Sequence, residues 1–203
     1  KFFSKEFKRK NSIMIERYKT ESLFGNILPI EVAHEMRNGT IPVREKIATV
    51  AFVKISLFEA NGQDMMDYED IVYALNIIVK KFDKIIFLYK GMRKIEHVAE
   101  TYLLCSGLLD FISQKEAANV MLNVCVALNE VIKEVRLHKQ QFFRVTIGIH
   151  TGQVLGTVIG SQRRFFRIFG DTVNTTARIC TTGIKYKVNL SKETKELLDD
   201  VEH

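Results

Sequence analysis

No hydrophobic run in these 203 residues approaches the roughly 18 apolar positions a membrane-spanning helix needs. A signal-peptide pattern is missing too, although the chain begins with Lys, which reads as a piece of a longer protein whose other parts hold any membrane segments. Cysteine is scarce. Cys105, Cys125 and Cys180 show no metal-ligand spacing, and they read as buried, reduced thiols of a cytosolic protein. There is no internal repeat and no low-complexity segment. Charge of one sign is also limited: a net +6 spread over mixed acidic and basic residues is too modest to argue for nucleic acid. The basic residues gather in the first ten positions and at Arg163-Arg164. Such a run reads as a solvated face, with contact to anionic lipid as the alternative.

What remains is ordinary for a globular domain: 46% hydrophobic and 27% charged residues. Residues 1–21 read as a basic linker helix and 22–203 as the domain proper. Ile47–Val53 is a short β-branched run, hence a buried strand. Tyr68–Tyr89 repeats its apolar residues at a helical period. Arg93–Val98 and Thr101–Ser106 read as a hairpin, and Gln114–Leu137 as a second long helix. Arg144–Ile149 and Val154–Ile159 read as strands joined by a turn, His150-Thr151-Gly152-Gln153. Phe165–Phe169 is a further strand, and Lys187–Leu190 with Lys192–Leu198 close the chain as strand and helix. The order β-α-β-β-α-β predicts an α+β, ferredoxin-like sheet with helices on one face.

The most informative stretch is FFRIFGDTVNTTARICTTG, residues 165–183. Asp171 is placed to N-cap a short helix, and Gly183 to stop it as a C′ glycine. Asn174 and Arg178, four apart, share one helix face. An amide beside a permanent planar cation suits a sugar and a phosphate.

This stretch resembles the signature FGDTVNTASR of the class III nucleotide cyclases, the adenylyl and guanylyl cyclases. Arg144–Gly160 is similar to that family's RIGIHTGPVVAGVVG, Lys94–Gly107 to its KVETIGDAYMVVSG, and Ser22–Gly39 to its opening segment, in which LLP precedes VAxxL. The likeness runs from about residue 22 to 198, with four motifs in the family's order. A further hairpin follows in the family and carries a Lys that contacts the triphosphate. It is absent from this chain.

The resemblance implies a shared active site between two cyclase domains, one giving metal-binding aspartates and the other the purine, ribose and transition-state contacts. Here the metal half departs from the pattern. Where the family has FxDIxGF, this chain has Lys54 for the aspartate and Leu57 for the loop glycine. Ala99-Glu100 stand where a Gly-Asp pair carries the second carboxylate. Mg²⁺ requires hard anionic oxygens in tight geometry, and an ammonium offers only protons. Metal binding by this chain is therefore not expected, and Lys54 and Glu100 are expected to form an ion pair in a disused site, or Lys54 to extend to water.

The other half matches. Asn174 for the ribose and Arg178 for the transition state are the implied catalytic residues. Glu96 and Arg167 are the implied base readers. A carboxylate accepts from N1–H and N2–H₂ of guanine, and an Arg donates to its O6. Each has an alternative: Glu96 as a surface residue in an ion pair, Arg167 as a solvent-directed neighbour of Arg163 and Arg164. His150 reads as turn packing and His97 as structural. The implied function is the purine-binding half of a guanylyl cyclase, converting GTP to cyclic GMP and pyrophosphate. Mg²⁺ or Mn²⁺ would be held by a partner cyclase domain, and the whole would be cytoplasmic or at the cytoplasmic face of a membrane. An adenylyl cyclase half and a non-catalytic regulatory homology domain are the alternatives.

Overall fold

The computed structural model describes residues 29–37, 41–59, 68–98, 100–135, 141–161 and 164–199. The expected linker helix over 1–21, most of the segment preceding Pro29, Ala99, Arg163 and the tail of the second long helix lie outside them. In chain order the elements are α1 (Ile30–Arg37), β1 (Val43–Glu59), α2 (Tyr68–Leu88), β2 (Met92–Val98), β3 (Thr101–Ser106), α3 (Gln114–Glu134), β4 (Gln141–Ile159), β5 (Phe165–Phe169), α4 (Asp171–Thr182), β6 (Val188–Leu190) and α5 (Lys192–Asp199).

The sheet runs β2-β3-β1-β4-β5, and β6 pairs in parallel with β4. Its β1α2β2β3α3β4 portion has the ferredoxin-like order expected from the pattern. Residues 44–156 with 168–203 make one compact unit, which holds α2 to α5 and most of the sheet. Residues 1–43 with 157–167 make a second, with α1 and the adjoining ends of β4 and β5. In that second unit the guanidinium of Arg167 lies 5.3 Å from the centre of the Phe165 ring. These two side chains share a strand face because they are two residues apart.

In the larger unit, α2 buries Ala74, Ile78, Phe82 and Ile86, one residue per turn. Glu69 and Asp70 sit in its first turn, where the helix dipole favours anions. Helix α3 starts at Ser113, whose hydroxyl accepts from the Glu116 amide at 3.1 Å. It buries Met121, Val124, Cys125, Leu128 and Ile132. Both helices pack on one face of the sheet, against Ala51, Val53, Ile55, Tyr102, Leu104, Val145, Ile147 and Ile149. Each large side chain so buried contributes about 1.5–3 kcal/mol.

Strand β4 corrects one expectation. Residues 144–159 are not two strands with a turn between them; Gln141–Ile159 is one continuous strand, and His150-Thr151-Gly152-Gln153 lie within it. Thr151 is buried in it, bonded to Thr49 at 2.9 Å and to Thr194 of α5 at 3.0 Å. His150 is accordingly not a turn residue. Its Nδ1 is 2.8 Å from the Ser191 hydroxyl, which in turn accepts from the Thr194 amide at the start of α5. His97 stacks on Tyr102, with ring centres 4.0 Å apart.

The thiols behave as expected. All three are free and buried. Burial pushes Cys105 up to about 12, with the Asp110 carboxylate adding to it, and burial likewise raises Cys125 and Cys180.

Candidate active site

Helix α4 lies on the side of β4 opposite α2 and α3. Ile147 and Ile149 face the helical layer, so Gly148 between them faces the other way. A Cβ on Gly148 would stand 2.3 Å from the Cys180 amide nitrogen and 2.8 Å from the Thr176 carbonyl oxygen. One on Gly152 would stand 2.6 Å from the Thr172 hydroxyl. The helix backbone therefore rests almost on the strand backbone at Gly148, and the Thr172 side chain packs over Gly152, four residues on. The side chains it buries, Thr172, Thr176 and Cys180, are small and also four apart. Asn174 and Arg178 occupy the exposed side of the same helix. The spacing of glycines under threonines was the available signal for this seat, but in the sequence Gly152 reads as a turn.

The ends of α4 differ from expectation. The N-cap is Gly170, not Asp171, and no side chain caps the helix. Gly170 has φ +128°, a conformation open to glycine, so the helix begins one residue earlier and Asp171 becomes its first residue. There its carboxylate still favours the helix dipole. Gly183 is not left-handed either: its φ is −69°. The chain just past the helix is held by Asn189, whose side chain accepts from the Ile184 amide at 2.9 Å and donates to the carbonyls of Ile184 and Ile147. Gly183 is needed because a Cβ there would meet the Asn189 amide at 2.5 Å.

Strands β1, β3 and β2 extend the α4 side of the sheet. Lys54, Thr101 and Val98 stand in one row across them, and Phe52, Leu103 and Glu96 in the next. Glu96 reaches this side through a bulge between Lys94 and Glu96. Without the extra residue, continuing the register from Lys94↔Leu104 would set Glu96 opposite Tyr102, on the helix-covered side. Glu96 is half-buried there, and Lys54 is exposed.

The expected ion pair between Lys54 and Glu100 does not form. Thr101 stands opposite Lys54, and Glu100 lies in the turn, its carbonyl accepting from the Ile55 amide at 2.8 Å. Both side chains are exposed, so Lys54 extends to water, the other outcome expected. Among the described residues no group of three or more His, Cys, Asp or Glu is placed to hold a metal ion. An ammonium in place of the carboxylate does not fit a divalent cation. Arg167 is half-buried, with its guanidinium over the Phe165 ring, and Arg164 is exposed.

A ferredoxin-like sheet that seats, on the side away from its two long helices, a helix displaying an amide and a guanidinium has the class III cyclase architecture. Residues 43–203 match the adenylate and guanylate cyclase catalytic domain, and the chain belongs to that family. It is 30% identical over 197 residues to the human atrial natriuretic peptide receptor 2, covering 95% of this chain and 18% of that protein. It is 31% identical to the Drosophila melanogaster receptor-type guanylate cyclase Gyc76C, covering 91% and 12%. This chain thus spans about a fifth or less of the length of these relatives. Among solved structures, the guanylate cyclase domain of RhGC from Catenaria anguillulae in complex with GTP shares the fold with a TM-score of 0.65 and 23% identity, over 78% of this chain and 85% of that one. The adenylyl cyclase CyaB from P. aeruginosa does so with a TM-score of 0.69 and 22% identity, over 79% and 84%. Among the described residues no helix is long and apolar enough to cross a membrane.

Proposed function

We propose that this domain is the purine-binding and transition-state half of a guanylyl cyclase. It acts on GTP together with a second cyclase domain that supplies the metal-binding aspartates. The observation that carries this reading is the contrast on one side of the sheet. Asn174 and Arg178 stand exposed on a well-seated α4, while Lys54 stands exposed where the family resemblance implies a metal-binding aspartate.

In the reaction the ribose 3′-oxygen attacks the α-phosphorus and loses its proton. The bond to the bridging oxygen breaks, and pyrophosphate leaves with that electron pair. Asn174 would hold the ribose by hydrogen bonds, and Arg178 would face the negative charge that builds on the phosphate oxygens. Glu96 would accept from N1–H and N2–H₂ of guanine, and Arg167, as a donor, would favour O6. Mg²⁺ or Mn²⁺ would be held by the partner, since an ammonium, Lys54, stands where the resemblance implies a carboxylate and no group of three or more His, Cys, Asp or Glu is placed to hold an ion among the described residues. The GTP named with a solved relative and the guanylate cyclase relatives support guanine over adenine. Buried, reduced thiols suit a cytoplasmic location.

The test is reconstitution. The purified domain is mixed with a cyclase domain carrying both metal aspartates, and cyclic GMP formation from GTP is compared with that of each domain alone. Synergy supports the half-site reading. Full activity of this domain alone, or none from any mixture, overturns it.

A further inference from the structure

Helix α4 carries Asn174 and Arg178 but has little hydrophobic attachment beneath it. Its buried side chains are Thr172, Thr176 and Cys180, and glycines lie below. With so small an apolar contact, directional bonds set where the helix sits. Two connect it to β4. The Thr172 hydroxyl donates to the Gln153 carbonyl at 2.6 Å, and the Cys180 thiol donates to the Thr146 carbonyl at 3.2 Å. A thiol is a weak donor, so the threonine bond is the stronger. Its acceptor residue is itself held, because the Gln153 side chain donates to Glu45 at 2.7 Å. Thr176 is equally buried, but its hydroxyl donates to the Thr172 carbonyl, within the helix, at 2.6 Å. That bond cannot locate the helix on the sheet.

We propose that Thr172 is a positioning residue. Through the Gln153 carbonyl it sets the rotation and height of α4, and so the places of Asn174, two residues on, and Arg178, six on. This rests on the reading that those two side chains act on the nucleotide. Thr172→Val keeps the shape and removes the donor, so the bond from α4 to the Gln153 carbonyl is lost and the helix is no longer fixed in rotation and height. A misplacement of about 1 Å costs up to roughly a hundredfold in rate.

The experiment compares Thr172→Val, Thr172→Ser, Thr176→Val and Arg178→Ala in the complex with a metal-competent cyclase domain. Thr172→Val is expected to lower kcat about ten- to a hundredfold with KM for GTP little changed. Thr172→Ser restores most of the rate. Thr176→Val loses thermal stability to a similar degree but keeps kcat within about twofold, a difference that a merely structural role would not produce. Adding Thr172→Val to Arg178→Ala should cost less than the product of the two single losses. If Arg178→Ala is fast, the active-site reading falls. If Arg178→Ala is slow while Thr172→Val matches Thr176→Val, the positioning role falls and the active-site reading stands.

Discussion

Lys54 of β1 stands opposite Thr101 of β3, and Glu100 falls one residue outside that pair. The ammonium is therefore not neutralised by Glu100. An exposed cation remains where the family resemblance implies an aspartate. A homodimer of this domain should be inactive, since each of its sites would carry Lys54. Purified domain with GTP and either Mg²⁺ or Mn²⁺ should form no cyclic GMP above background. Lys54→Asp alone should not restore it, because Glu100 is one methylene longer than the expected aspartate and Leu57 replaces the expected loop glycine. Robust turnover by either protein would refute the assignment.

Arg178→Ala and Asn174→Ala should act on rate and not on folding, because both side chains are exposed on α4. Loss of one charge-stabilising donor costs about 10²–10³ in kcat. Turnover of the reconstituted pair measures this, with the urea midpoint as the folding control. Rates near wild type for Arg178→Ala would mean that the signature is vestigial.

Glu96 should select the base. Glu96→Lys removes the acceptor for the guanine N1–H and N2–H₂ and sets a donor opposite them. Arg167→Asp adds an acceptor suited to the adenine amine. The double variant should raise the ATP/GTP ratio of kcat/KM at least about tenfold, or about 1.4 kcal/mol. Competition between the two nucleotides reads the ratio. A wild type that prefers ATP would point to an adenylyl cyclase half instead, and an unmoved ratio would mean that neither side chain faces the purine.

Gly148→Ala should be among the most damaging small changes in the fold. The added carbon meets backbone at 2.3 Å, not a side chain that can swing away. The expected loss is about 3 kcal/mol or more, at or above the usual range for overpacking. Urea denaturation followed by circular dichroism gives the value; an unchanged midpoint would mean that α4 does not rest on this strand.

The cysteines should be silent to a thiol reagent in the native protein and should all react once it is unfolded. Cys105 also makes a pH-dependent contribution. Its folded value is pushed from 9.0 up to about 12, so the folded state holds this proton more tightly. The stabilisation is complete below about pH 9 and is lost as the pH rises from there toward 12. Cys105→Ala should flatten the alkaline side of the stability profile, measured as the urea midpoint against pH.

Much of this architecture was legible in the chain itself. Thr101–Ser106 and Phe165–Phe169 are bounded in the structure as their β-branched and aromatic runs predicted. Ala74, Ile78, Phe82 and Ile86 announced α2 by their spacing, and the motif order identified the family and the outward pair Asn174 and Arg178. These are local signals, since periodicity and side-chain chemistry are carried by the residues themselves. The places where two distant segments meet were not legible. Gly152 reads as a turn yet sits inside a continuous strand, because a glycine that permits a close helix looks the same in sequence as one that permits a turn. Whether Glu100 faces Lys54 depended on register, and a slip of one residue reverses the side to which each side chain points. The bulge before Glu96 is such a slip, and it alone puts that carboxylate on the same side of the sheet as Lys54 and α4. Strand pairing is a property of two segments at once, so neither segment's sequence contains it.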